Sequence, residues 1–290
     1  CTTISLNAKN QDSLWNVWSN HSEHDTSRVE AIQHYAWAYL FSDLDSAIYF
    51  AKKELKFAQD HSLPKWVAKA YNTTGIAFMY LGEYDSSLVY LERSLIYRKF
   101  LGNKADIARS YGNIGIVYQQ ISNYPKAINY FMKSLALKEE VKDSIGIANT
   151  CNNIGTLYHK IDDYENELKY QNRSLNIYQN LHDHQGIARV SNNLGTLYTT
   201  LGLFEEAKTS LIQSLEYSNL SNDLHGQAST LLSLGNLHLE LYSLHKSIND
   251  ISKAESYILE SIKIYEQLKE EADKLKRQRD MYRGMLFKEN

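Results

Sequence analysis

Proline is nearly absent, 2 in 290 residues, so nothing in the chain reads as a rigid Pro-rich linker. The 13 glycines are dispersed, which excludes a flexible Gly-rich segment. Two cysteines, Cys1 and Cys151, offer neither a metal-ligand spacing nor a disulfide framework. A basic excess is missing too. The formal net charge of -3 argues against a nucleic-acid-binding face. The longest apolar run is Tyr35–Phe41, far short of the roughly 18 residues that span a bilayer, so no transmembrane segment is expected. There is no Gly-rich phosphate loop, serine elbow or zinc helix motif. The sequence therefore predicts no enzyme, no cofactor and no metal.

What the chain does have is apolar content, 43% of residues, and 22 tyrosines, whose amphipathic rings suit the gaps between packed helices. Its first residue is not Met. CTTISLNA followed by KNQDSLW leaves two readings of residues 1–27 open: a mature lipoprotein starting at its lipid-carrying Cys1, or a signal-peptide remnant cleaved after Ala8. An arbitrary boundary is the bland alternative. Export, periplasmic or lipid-anchored, is the expectation, with the cytoplasm as the other location.

Repetition dominates the rest. Gly75, Gly115, Gly155, Gly195 and Gly235 are spaced by 40 without a break. Ala68, Ala108, Ala148, Ala188 and Ala228 keep the same step, as do Phe78, Tyr118, Tyr158, Tyr198 and His238, and Ser94, Ser134, Ser174 and Ser214. Asn103, Asp143, Asp183 and Asp223 recur where the chain must turn and can cap the next helix. Within the third unit, Ile147, Cys151, Ile154, Tyr158 and Ile161 form one helical stripe; after Asp162–Asp163, Tyr164, Leu168, Leu175 and Tyr178 form a second. Each unit is thus two amphipathic helices that must stack on neighbours to bury their apolar faces. A mid-helix Gly costs about 1 kcal/mol relative to Ala, so the five imply a regular compensation: close helix–helix approach where no side chain fits.

On these residues the units resemble tetratricopeptide repeats of a 40-residue type. The pattern of small residue, apolar-Gly, aromatic, Gly-x-Tyr and Ala is met by Ala68, Gly75, Phe78, Gly82 and Tyr84. It is met again by Ala108, Ile114, Gly115, Tyr118, Tyr124 and Ala127, and by Ala188, Leu194, Gly195, Tyr198, Gly202, Phe204 and Ala207. The third unit departs with Glu167 at a small-residue position, and the fifth carries extra residues around SLHKSIND before Ala254. Residues 28–64 read as a degenerate first repeat, with Tyr35 in the glycine's place, and 65–265 as five full units. The expected fold is all-α, an α-α superhelix of tandem helix-turn-helix repeats.

The resemblance implies that the first helix of each unit lines a concave surface. The residues opposite the packed stripe read Lys69, Thr73, Ile76, Tyr80; Arg109, Asn113, Ile116, Gln120; Asn149, Asn153, Thr156, Lys160; Arg189, Asn193, Thr196, Thr200; and Ser229, Ser233, Asn236, Glu240. An amide side chain offers both donor and acceptor, so successive asparagines can bond a peptide main chain regardless of its sequence. In similar repeat proteins asparagines just before the apolar-Gly pair grip an extended ligand, a role that falls here on Asn113, Asn153 and Asn193. The candidate groove is Lys69, Tyr80, Arg109, Asn113, Gln120, Asn149, Asn153, Lys160, Arg189, Asn193 and Asn236. Its structural alternative is that the amides bond neighbouring helices.

Other features read as structural. His182-Asp183-His184 lies in a turn and lacks a full ligand set; Asp162 and Asp163 suit capping; Cys151 is a core thiol. At the C-terminus, Ile258, Ser261, Tyr265, Leu268, Ala272, Leu275, Arg279, Tyr282 and Leu286 alternate by three and four. Residues 266–290 therefore form either a capping helix or a coiled-coil seam, the latter predicting a homodimer. The basic KLKRQR, 274–279, adjoins Glu270, Glu271 and Asp273 and reads as a solvated face. The expected function is a scaffold that binds a peptide or protein segment in the groove. The alternative is a sensory input module of a signalling enzyme, because residues 12–51 resemble the N-terminal region of bacterial repeat proteins carrying an adenylate/guanylate cyclase or histidine kinase domain.

Overall fold

The computed structural model describes the backbone of residues 8–286 and the side chains of residues 13–273. Cys1 lies outside the described residues, and so do the side chains of KLKRQR and of Leu275, Arg279, Tyr282 and Leu286 in the C-terminal seam. All regular structure among the described residues is helical. In order the helices are α1 (Ala8–Ser19), α2 (Asp25–Tyr39), α3 (Leu44–Asp60), α4 (Pro64–Tyr80), α5 (Tyr84–Leu101), α6 (Lys104–Gln120) and α7 (Tyr124–Glu140). They continue with α8 (Ser144–His159), α9 (Tyr164–Asn180), α10 (His184–Thr200), α11 (Phe204–Leu220), α12 (Leu224–His245) and α13 (Ile248–Leu286). Part of the stretch read as an N-terminal tail is therefore helical.

The helices form two compact units, one running through Ile161 and one from Asp162. The division falls inside the third repeat, between its two helices. The first unit holds α1–α8 and the second α9–α13, each a stack of consecutive helical hairpins.

Helix ends follow a period of half a repeat. Positive φ recurs at Ser62, Gly82, Gly102, Ser122, Lys142, Asp162, His182, Gly202 and Asn222, every twentieth residue. A left-handed residue after the last turn of a helix reverses the chain, and the next residue caps the following helix. Asp106, Gly146, Gly186 and Gly226 donate their backbone N–H groups to Asn103, Asp143, Asp183 and Asp223 at 3.2, 2.9, 2.9 and 3.1 Å. His182 and Asp162 are the reversing residues themselves, and Asp163 caps α9, which gives the turn motifs their structural role.

The glycine series has the cause its spacing implies. A Cβ on Gly75 would lie 2.7 Å from Leu91 Cγ, on Gly195 2.5 Å from Leu211 Cγ, and on Gly235 2.6 Å from Ile258 Cγ1. Each of these glycines is thus the seat for a large side chain of the second helix, as is Gly115 for Phe131 at 3.1 Å. The Ala and Ser series meet in the same hairpins: Ser94, Ser134, Ser214 and Ser261 donate to the carbonyls of Ala68, Ala108, Ala188 and Ala228 at 2.7–2.8 Å. In the degenerate first repeat Tyr35 fills the glycine position and meets Phe50 edge-on, ring centres 4.6 Å apart, with Trp15 of α1 beside it at 5.7 Å.

The cores are apolar between the hairpins: Val29, Ile32, Trp66 and Val67, then Leu91, Ile114 and Val117 in the first unit, and Leu211, Leu234 and Leu237 in the second. Cys151 is a fully buried thiol in the core. At the C-terminus α13 packs on α12, with Ile258 over Gly235, the Ser261 bond and Tyr265 against His225. The first part of the seam therefore covers the last repeat.

Candidate functional site

Most of the residues opposite the glycines stay on the solvent side of the first helices, but Thr73 does not: it is fully buried, its hydroxyl donating to the Lys69 carbonyl at 3.1 Å. In the first unit Tyr80, Gln120, Asn149 and Lys160 are exposed, and Lys69, Asn113 and Asn153 are half-buried. Arg109 is open to solvent over most of its side chain. Asn149 is not a free amide, since it makes an interaction of its own.

Lys69, Arg109 and Asn113 are brought together. They line a pocket of about 330 Å3 with Gln33 and Trp37 of α2, Lys65 and Asn72 of α4, Arg98 at the end of α5, and Asp106 of α6. Ala68, Ile76 and Leu101 supply its apolar wall. Tyr80 lies away from it and packs near Phe41, ring centres 6.0 Å apart.

Asn113 answers in part to the structural alternative. Its Nδ2 donates to Asn72 Oδ1 at 2.9 Å, tying α6 to α4 across the repeat step. Arg109 pairs with Asp106 one turn back, as the macrodipole at the start of α6 favours for the acid. Arg98 is nearly buried, and its Nη1 donates to the Asp106 carbonyl at 3.1 Å and to Ser110 Oγ at 2.9 Å. Burial lowers its pKa to about 10, with Asp106 acting against the shift and Arg109 with it. Lys69 Nζ lies 3.9 Å from the centre of the Trp66 ring, a cation–π contact. Its pKa is lowered, first by burial and then by Lys65, against the opposing pull of Glu54, Glu30 and Asp106.

The second unit gives a different surface. Arg189 donates from Nη2 to Tyr178 OH at 2.8 Å, so its guanidinium is anchored rather than presented. Asn193 is half-buried and engaged, and Asn236 is exposed on α12.

Sequence reading missed seven lining residues: Gln33, Trp37, Lys65, Asn72, Arg98, Leu101 and Asp106. Asn72 and Arg98 were findable, since Asn72 precedes Gly75 by three and Arg98 follows Ser94 by four, both on packed stripes. Gln33 and Trp37 lie in the degenerate repeat, but Gln33 is 40 residues before Thr73 and 80 before Asn113, so the repeat phase could have found it. Among the described residues no cluster of three His, Cys, Asp or Glu could hold a metal, and no helix is long and apolar enough to cross a membrane.

Several solved structures share the fold. BtubC (BKLC) from P. vanneervenii matches with a TM-score of 0.65 at 18% identity, covering 79% of this chain and 93% of its own. The apo form of RapI matches with a TM-score of 0.69 at 17% identity over 91% and 92% of the two chains. A Rap protein in complex with competence and sporulation factor gives 0.63 at 16% identity, covering 86% of this chain and 66% of that one. No curated protein matches by sequence. The family model for the tetratricopeptide repeat matches residues 66–140 and 146–219, just over half of the chain. With its glycine seats, Ala–Ser hairpin bonds and half-repeat turns, the chain belongs to the tetratricopeptide repeat family.

Proposed function

We propose that the protein is a non-catalytic interaction scaffold whose first unit holds an extended peptide or protein segment along the solvent-facing strip of α4, α6 and α8. One observation carries the reading: Lys69, Arg109 and Asn113, chosen for their phase opposite the glycines, line a common pocket on that strip. Polar side chains at a regular step match the regular step of an extended main chain, and amides serve its donors and acceptors alike. The similar Rap protein is known in complex with competence and sporulation factor, which supports a bound partner for this arrangement of hairpins.

The test begins with selection of binders from a library of unstructured peptides. Asn113 and Asn153, the two asparagines of the strip that lie in the first unit, are then replaced together by Ala. Affinity for the selected peptide falls by roughly tenfold or more, while helicity by circular dichroism holds or rises, because Ala is the better helix former. A selected peptide that binds the double variant as well as the parent removes the groove reading.

A further inference from the structure

One second helix, α5, turns an apolar row to solvent that its counterparts do not. Val89, Ile96 and Phe100 are 48%, 65% and 82% exposed, and their spacings of seven and four keep them on one side of the helix. One repeat away the same positions hold Tyr49, Lys56 and Asp60 in α3, and Asn129, Ala136 and Glu140 in α7. In the second unit they hold Lys169, Asn176 and Asn180, then Thr209, Glu216 and Leu220. The apolar row is therefore a property of α5 and not of the repeat. Apolar side chains left in water forgo the stabilisation that contact with another apolar surface returns, and a contiguous group of them is the mark of an interaction surface.

The charges beside the row select its occupant. Glu92 and Lys99 are both exposed and stand seven residues, or two turns, apart, so they share one edge of the helix. Both lean toward the next repeat. Lys99 Nζ lies 5.5 Å from the centre of the Tyr111 ring in α6. Burial raises the pKa of the Tyr130 phenol in α7, with Tyr118 and then Glu92 adding to it. Arg93 takes the other edge, over the Tyr71 and Tyr90 rings at 5.9 and 6.0 Å. Among the described residues neither Glu92 nor Lys99 is in an ion pair. The midpoint between them falls beside Ile96, the middle of the apolar row.

That arrangement is self-complementary. A two-fold axis crossing α5 at Ile96 lays a second α5 antiparallel on the first, with like edges together. Ile96 then meets the second copy's Ile96, Phe100 falls over the second copy's Val89, and Glu92 faces the second copy's Lys99. The last two contacts are each made twice. We propose that this face joins two copies of the chain in an antiparallel pair centred on Ile96. The proposal goes beyond the groove reading, because the face belongs to a second helix, apart from the strip of α4, α6 and α8.

The experiment is sedimentation velocity of the full chain at concentrations from about 1 to about 100 μM, where it behaves as a monomer in equilibrium with a dimer. Ile96→Asp weakens the dimer by roughly tenfold or more, with an unchanged circular dichroism spectrum. Leu220→Asp replaces an equally exposed leucine of α11, 64% against 65%, and leaves the equilibrium as it was. Glu92→Lys and Lys99→Glu each weaken the dimer by roughly fivefold, because each sets like charges against one another twice. The two together recover the parent's affinity, a rescue that neither a sticky patch nor a damaged fold gives. Four results overturn the proposal: a chain monomeric throughout the range, a dimer untouched by Ile96→Asp, an equal loss in Leu220→Asp, or no recovery in the double charge variant. The second of these would give the dimer to another surface, such as the C-terminal seam.

Discussion

The same place in four successive second helices is filled in two ways. In the first unit it holds cations: Arg98 of α5 reaches Asp106 and Ser110 of α6, and Lys138 of α7 donates to the Gly146 carbonyl at 3.3 Å and to Thr150 Oγ1 at 2.8 Å in α8. In the second unit it holds neutral groups: fully buried Tyr178 of α9 over Gly186 of α10, and Ser218 of α11 near Gly226 of α12. The 40-residue frame is common to both, yet the joint between one hairpin and the next is not. Repeats keep the contacts inside a hairpin, the glycine seat and the Ser–Ala bond, and vary what locks hairpin to hairpin. The solvent strip follows suit. Where the joint contains Arg98 the strip opens into a cationic pocket, and where it contains Tyr178 that ring ties down Arg189.

Exchanging residues between the two joints breaks the comparison most severely. Gly186→Asp, which copies Asp106, drives a side chain toward the Tyr178 ring and costs about 2–4 kcal/mol in urea unfolding. Adding Tyr178→Arg and Val190→Ser, which copy Arg98 and Ser110, recovers a large part of that loss. If the triple variant is no better than the single one, the joints are not interchangeable modules.

Next in size is removal of one donor. Arg98→Met leaves Ser110 and the Asp106 carbonyl without their partner and costs about 2 kcal/mol, whereas Tyr178→Phe removes the hydroxyl that accepts from Arg189 and costs about 0.5–1 kcal/mol. Equal midpoint shifts for the two variants would contradict the distinction.

Buried polar groups without partners sharpen it further. Gln171 of α9 stands where Leu91, Phe131 and Leu211 stand in their repeats, fully buried with neither end of its amide bonded. Gln171→Leu raises stability by about 1–3 kcal/mol. Glu54 is the first unit's counterpart, and its effect depends on pH. With its pKa raised by burial, the folded state holds the proton longer than the unfolded one, so stability is full below about pH 4.5 and falls as pH rises through the folded value. Glu54→Gln flattens that decline, as denaturant midpoints measured across the pH range will report.

The smallest change concerns the turns. Lys142 and His182 adopt φ of 56 and 53 where Gly82, Gly102 and Gly202 do so without a Cβ. Lys142→Gly and His182→Gly each stabilise by roughly 0.5–1 kcal/mol. Loss of stability in either would mean that these side chains hold the turn by contacts that outweigh the strain.

Much of this was legible in the sequence, because period is a property of residue types. Five glycines at one spacing announced close approach, and the Ala and Ser series that moves with them proved to be a hydrogen bond. The half-repeat rhythm of the turns was not legible, since six of its nine left-handed residues are Ser, Lys, Asp, His or Asn and only three are Gly, with no shared side chain to reveal them. The pocket was half legible. Lys69, Arg109 and Asn113 came from helical phase, whereas Arg98 enters from the end of a second helix, which the wheel of a first helix cannot show. Lys65 and Trp37 belong to a helix start and a degenerate repeat. The division between the units leaves no mark in the period, though buried Glu167, Gln171 and Tyr178 set α9 apart from the other second helices.

Backbone amide chemical shifts of labelled protein, followed while a selected peptide is added, test the scaffold account at its root. The largest changes should fall on Lys69, Asn72, Arg109, Asn113 and Asn153 of α4, α6 and α8, with the outward faces of α5 and α7 unmoved. Changes confined to Val89, Ile96 and Phe100 on the exposed side of α5 would place the partner on the opposite surface and contradict the account.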